Sequence, residues 1–157
     1  MAARIQDDFE NGGRMFVIEI RGDIYTSNVV TETLDEELHR FGGIDTLTYF
    51  RVNDTGAQRD LVERLGMDWD SRNMPWLLVL EDPPIEVREG DRAICFELGH
   101  LNERDEVREV TQAIISASND PDFVNDLTWE RRKQRFLDML PALKESAGLV
   151  VSIVGVV

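Results

Sequence analysis

Asn73-Met74-Pro75-Trp76-Leu77-Leu78-Val79-Leu80 is the stretch on which the fold turns. From Pro75 to Leu80 it is an unbroken apolar run, and it reads as a buried strand with its proline at the first position, where a missing N–H does least harm. Asp82-Pro83-Pro84 and Glu89-Gly90-Asp91 follow as turn clusters, and Arg92-Ala93-Ile94-Cys95-Phe96-Glu97-Leu98 reads as a further strand. The two strands form a hairpin with a long, irregular connection.

Upstream, the pattern alternates strand and helix. Met15-Phe16-Val17-Ile18-Glu19-Ile20-Arg21 is a β-rich run closed by Gly22. From Thr26 to Phe41 the apolar residues Val30, Leu34, Leu38 and Phe41 share one helical face, and Gly42-Gly43 stops that helix. Thr46 to Val52 is a second strand. Asn53 or Asp54 caps the next helix, whose apolar face is Leu61, Val62 and Leu65 before Gly66. A strand, helix, strand order implies a parallel pair joined by a right-handed crossover.

Downstream, Asn102 is positioned to cap a helix with Val107, Val110 and Ile114 on its buried stripe. Beyond Ser118 the pattern restarts: Asp120-Pro121 opens a helix, and Thr128 caps another that carries Trp129, Phe136, Leu137 and Leu140. The chain then runs into Leu149-Val150-Val151-Ser152-Ile153-Val154-Gly155-Val156-Val157, whose composition favours a strand.

The order βαβα then ββα, from Met15 to about Ser118, resembles the thioredoxin superfamily. Three local features carry the resemblance. Asn73 to Leu80 is similar to the superfamily's strand opened by a cis X-Pro bond. Gly90-Asp91-Arg92 with Phe96-Glu97-Leu98-Gly99 resembles the hairpin turn and second strand with its terminal glycine. Glu63-Arg64-Leu65-Gly66-Met67 resembles the end of the preceding helix. The resemblance implies an α/β, thioredoxin-like three-layer sandwich over residues 1–118, with residues 119–157 as a C-terminal helical extension and terminal strand packed on it. Fourteen residues precede Met15, so the sheet is expected to start short, as in the compact glutaredoxin-like form.

In that family a reactive dithiol lies between the first core strand and its helix, where this chain reads Asp23-Ile24-Tyr25-Thr26-Ser27-Asn28. The cysteine positions match Tyr25 and Asn28, so disulfide exchange is excluded. The single cysteine, Cys95, falls within a strand and is expected to be an inert core thiol, since buried free cysteine behaves as a small hydrophobe. One cysteine and no apolar leader at the N-terminus fit a cytoplasmic protein, and the nine residues from Leu149 are about half of the ~20 a membrane helix needs.

Charge narrows the choice of partner. The 157 residues carry 31 Asp and Glu against 17 Lys and Arg, a formal net charge of −14. Nucleic-acid binding is disfavoured, because it depends on cations that displace counterions from phosphates. The basic side is 15 Arg and only two Lys, Lys133 and Lys144, and acids occur in every segment, a composition resembling salt-adapted proteins. Glu130-Arg131-Arg132-Lys133-Gln134-Arg135 is the one basic cluster, and it reads as a solvated helix surface or a docking site for an acidic partner.

The resemblance implies a groove where three loops converge: Tyr25, Thr26, Ser27 and Asn28; Asn73, Met74 and Pro75; Gly99 and His100. In relatives this surface takes an extended peptide as an added strand. Trp69, beside it, is a candidate partner contact. The reading is therefore a redox-inactive protein- or peptide-binding module. A small-molecule enzyme using Tyr25, Ser27 or His100 and a structural oligomer subunit are the alternatives. No catalytic constellation, cofactor or metal site is expected: His39 and His100 have no second ligand at zinc spacing, and Asp68-Trp69-Asp70 reads as solvated surface. The tail is expected to be covered, because an exposed β-prone segment invites pairing with another chain. The open edge at Thr46 to Val52 is its expected dock, within the chain or by exchange in a homodimer through Leu149–Val157.

Overall fold

The structure, a computed structural model, describes residues 15–22, 29–41, 47–51, 54–70, 73–125, 127–140 and 149–155. It is an α/β fold on a five-stranded mixed sheet, β1 Met15–Ile20, β2 Leu47–Arg51, β3 Trp76–Leu80, β4 Ala93–Glu97 and β5 Val150–Val154, in the order β2-β1-β3-β4-β5. β1 and β2 are parallel, as the intervening helix α1 (Val29–Phe41) requires, and β3, β4 and β5 each run antiparallel to the preceding neighbour in the sheet. A second helix, α2 (Thr55–Arg64), joins β2 to β3, and a short 3-10 turn at Pro84–Glu86 lies in the irregular connection between β3 and β4. Three helices, α3 (Arg104–Ser118), α4 (Pro121–Asn125) and α5 (Trp129–Met139), follow before β5. No helix among the described residues is long and apolar enough to cross a membrane.

The period-two alternation of the strands divides the core between two faces. Phe16, Ile18, Ile20, Trp76, Leu78 and Cys95 meet Leu61 and Val62 of α2 and its C-cap Leu65 on one face. Met15, Val17, Leu77, Val79, Ile94 and Phe96 meet Val30 and Leu34 of α1, Val107, Val110 and Ile114 of α3, and Phe123 and Phe136 of the extension on the other. All six residues of β1 are buried, including Glu19. Glu19 is paired: Arg21 Nε donates to Oε1 at 2.6 Å, and the Tyr49 hydroxyl donates to Oε2 at 2.7 Å. Arg21 also bonds Asp35 at 2.6 Å, so its guanidinium, desolvated by burial, is nevertheless held above its usual range by the two carboxylates.

Helix ends follow the sequence at most points. Asp54 accepts the Gly56 N–H at 2.9 Å, Gly66 turns the chain at φ 68°, and Thr128 accepts the Arg131 N–H at 3.3 Å. The cap of α3 is a correction: Glu103, not Asn102, is the N-cap. The Glu106 carboxylate reaches back to the N–H groups of Asn102 at 3.2 Å and Glu103 at 3.0 Å. An acid one turn inside satisfies two orphan donors at once, so Asn102 is not needed as a cap.

The tail requires a second correction. It pairs within its own chain, but on β4, at the opposite edge from β2. Val151 and Ile153 thereby join the larger core beside Phe96 and Phe136. Gly155, at φ 113°, ends the strand against the main chain of Asp91 and Arg92, where any Cβ would collide.

A third correction concerns the basic cluster. Arg132 is 2% exposed, not solvated. Its Nε donates to Phe123 O at 2.9 Å and one Nη to Val124 O at 2.7 Å, the other Nη binds the Glu81 carboxylate, and the plane sits over the Trp129 ring at 4.7 Å. One side chain thus ties α5 to α4 and to the end of β3.

The β3–β4 connection gathers acids. Burial, and then the charges of Asp91, Glu81 and Glu86, push the Asp82 carboxyl above its ordinary value, against a weaker pull from Arg88. A carboxyl whose folded pKa is raised supports the fold fully below its unfolded value of 3.8 and loses that support as pH rises through the folded value. Asp82→Asn is therefore expected to be more stable than the parent at neutral pH, the difference opening as pH rises past about 4. Urea titrations from acid to neutral pH check this; a difference that widens toward acid contradicts it.

Candidate functional site

The C-terminal ends of β1 and β2, the start of β3 and the end of β4 lie at one end of the sheet, because Ile20 pairs with Trp76 and Trp76 with Glu97. There the Met74-Pro75 peptide is cis. Leu98 N–H donates to Pro75 O at 3.0 Å, and Gly99 N–H donates to Asn73 O at 3.0 Å. Gly99 has to be glycine, because a Cβ would stand 2.6 to 2.8 Å from the Asn73 main chain. His100 is exposed and its Nε2 donates to Asn73 Oδ1 at 2.6 Å. Asn73, Met74, Pro75, Gly99 and His100 are thus brought together.

Met74 lies between two residues whose carbonyls are taken by the chain after β4. Among the described residues its own main-chain N–H and C=O make no hydrogen bond. Met74 as a whole is 3% exposed, its side chain packed against Gly22 and Trp69. Gly22, at φ 62°, gives the sulfur room: a Cβ there would stand 2.6 Å from Met74 Sδ and 3.2 Å from the Trp69 ring. The Gly22 N–H is held at 2.9 Å by the side-chain oxygen of Gln58, a buried amide in α2. Trp69 is half-buried, with the Arg59 guanidinium over its ring at 4.5 Å, so it builds the wall of the site rather than standing free. Tyr25, Thr26, Ser27 and Asn28 lie outside the described residues, as does Gly42-Gly43.

No protein-family model, curated protein or solved structure matches the chain.

Thiol chemistry has no place in it. Cys95 is fully buried within β4 beside Leu78, and burial, followed by the nearby Glu97 charge, pushes its thiol far above the ordinary range. A thiol reagent should label Cys95 of the native protein at least ~10³-fold more slowly than in urea, because reaction has to await opening of the core. Rapid native labelling, or turnover in an insulin-reduction assay, contradicts this. Among the described residues no three His, Cys, Asp or Glu side chains gather as metal ligands do.

Sequence reasoning missed Gly22, Gln58 and Glu19. The signal for Glu19 is its spacing: an acid and a base two apart on one strand share a face, and Glu19 with Arg21 is such a pair inside an apolar run. Gln58 carried no signal beyond sitting in the first turns of a helix.

Proposed function

We propose that this protein is a redox-inactive, thioredoxin-like module that binds an extended segment of a partner protein along Met74. The observation that carries the reading is the main chain at Met74, which makes no hydrogen bond among the described residues and lies between Asn73 and Pro75, whose carbonyls already serve Gly99 and Leu98. A donor and an acceptor on one residue at a sheet end are what an added strand uses, with affinity from main-chain bonds and selectivity from neighbouring side chains. His100 beside Asn73 and Trp69 under Met74 supply those neighbours. What supports the thioredoxin-like reading is the chain order βαβα then ββα on a mixed sheet, with β1 and β2 parallel, β3 and β4 antiparallel, and helices packed on both faces.

Selection of peptides from a random display library tests the proposal. A selected peptide is expected to weaken about tenfold when the one amide facing Met74 is replaced by an ester, which removes a single N–H donor worth about 1.4 kcal/mol. Selected ligands that tolerate ester replacement at every position, or an empty selection, speak against strand addition.

A further inference from the structure

β5 closes the sheet on one side. β4 pairs it along its inner edge, and among the described residues no strand pairs it along the outer one. Every second residue of such a strand turns its N–H and C=O outward, where they offer a template to another strand. Proteins ordinarily blunt that hazard with a charge, a proline or a bulge on the edge. β5 has none of these: Val150-Val151-Ser152-Ile153-Val154 runs in unbroken register against β4. Residues 146–157 are also the longest stretch without a charged side chain, in a chain of net charge −14. Ile85, Met139 and Val150 are the exposed large hydrophobic residues among those described, and Val150 lies on β5 while Met139 ends α5, the helix packed on it.

The occupant of this edge is indicated by the sequence of the strand itself. Residues directly opposite in an antiparallel pair point to the same face. Laid antiparallel to itself about Ser152, β5 sets Val151 opposite Ile153 on the face of the larger core, and Val150 opposite Val154 on the α2 face. Every pair off the axis then joins two β-branched side chains, which pack well across strands. On the axis the two Ser152 hydroxyls meet. Within one chain that hydroxyl has no hydrogen-bond partner among the described residues, and across the axis one can donate to the other. A patch that complements itself is what a two-fold interface requires, since one surface serves both subunits. Charge selects the same place, because two strongly acidic copies repel wherever carboxylates face one another and approach most easily along an uncharged edge.

We propose that β5 pairs with β5 of a second copy of this chain, antiparallel about Ser152, so that one continuous sheet runs through a homodimer. The pairing does not rest on strand addition at Met74.

Sedimentation velocity of the full chain, from about 1 to 300 µM at about 0.1 M and 1 M salt, reads the association. The expected result is a monomer–dimer equilibrium that tightens at least about fivefold at the higher salt, where repulsion between the copies is screened within about 3 Å. Ser152→Lys is expected to stay monomeric throughout, because it sets two like charges directly opposite at the axis. Asp68, Asp70 and Glu97 line the same cleft as Ser152, so the single chain accommodates that lysine, which circular dichroism checks. The register is read by disulfide cross-linking with oxidised glutathione in a Cys95→Ala background, since Cys95 is the partner of Ser152 on β4. Ser152→Cys should cross-link two chains at least about tenfold faster than Val150→Cys, which the proposed register holds too far from its own copy for a disulfide. A parent chain that is monomeric at the highest concentration in both salts overturns the proposal and leaves the edge to a strand of another protein. Association that weakens as salt rises, a dimer that survives Ser152→Lys, or equal cross-linking at the two positions also overturns it.

Discussion

Phe136→Ala is expected to cost about 4 kcal/mol, the range for deleting a buried aromatic ring from a close-packed core. The ring is fully buried and meets Phe96 of β4 and Phe123 of α4 edge to face, each centroid 5.0 Å away. Such pairs add about 0.5 to 1.5 kcal/mol to area burial, and alanine forfeits both. Because Phe96 belongs to the sheet and Phe136 to the extension, the loss should appear in a single unfolding transition that includes the sheet. Urea titrations read at once by far-ultraviolet circular dichroism and tryptophan fluorescence check this. Two separated transitions in the parent, or a loss below about 1 kcal/mol in the variant, contradict the shared core.

The second large effect is Arg132→Met, expected to cost about 3 kcal/mol although methionine matches the stem in volume and polarity. The Phe123 and Val124 carbonyls lose their buried donors, and the stacking on Trp129 is lost with them. Glu81, with half its side chain exposed, is solvated when the guanidinium leaves, so Glu81→Gln should cost less than about 1 kcal/mol. Arg132→Lys should fall between, since one ammonium cannot serve three acceptors in different directions. Equal losses for Arg132→Met and Glu81→Gln would shift the weight from the carbonyls to the ion pair.

These two residues also show what a sequence discloses. Phe136 was legible, because its spacing from Trp129 and Leu140 marks a helical face. Arg132 was not: it sits among Glu130, Arg131, Lys133 and Arg135, and only tertiary packing brings two carbonyls of another helix to it. Strand positions were legible from β-branched runs, and the parallel pairing of β1 with β2 from the crossover rule, but the edge taken by the tail was not. Composition says that Val150 to Val154 seeks a partner strand, while the site of docking depends on where α5 delivers the chain and which edge has core beside it. At the site, Pro75 and Gly99 announced themselves through residue type, each answering a main-chain constraint. Gly22 and Gln58 did not, since their roles depend on a left-handed turn and a contact between residues 36 apart.

Amide exchange at Met74 tests the account most directly. In the free protein the Met74 N–H lacks an intramolecular acceptor among the described residues and should exchange orders of magnitude faster than the amides of β1, an interior strand paired on both sides. On saturation with a display-selected peptide it is expected to slow at least about tenfold while β1 stays unchanged, the mark of a new main-chain hydrogen bond rather than general stabilisation. A bound peptide that leaves Met74 exchange unaltered would place the interface elsewhere and contradict the proposed function.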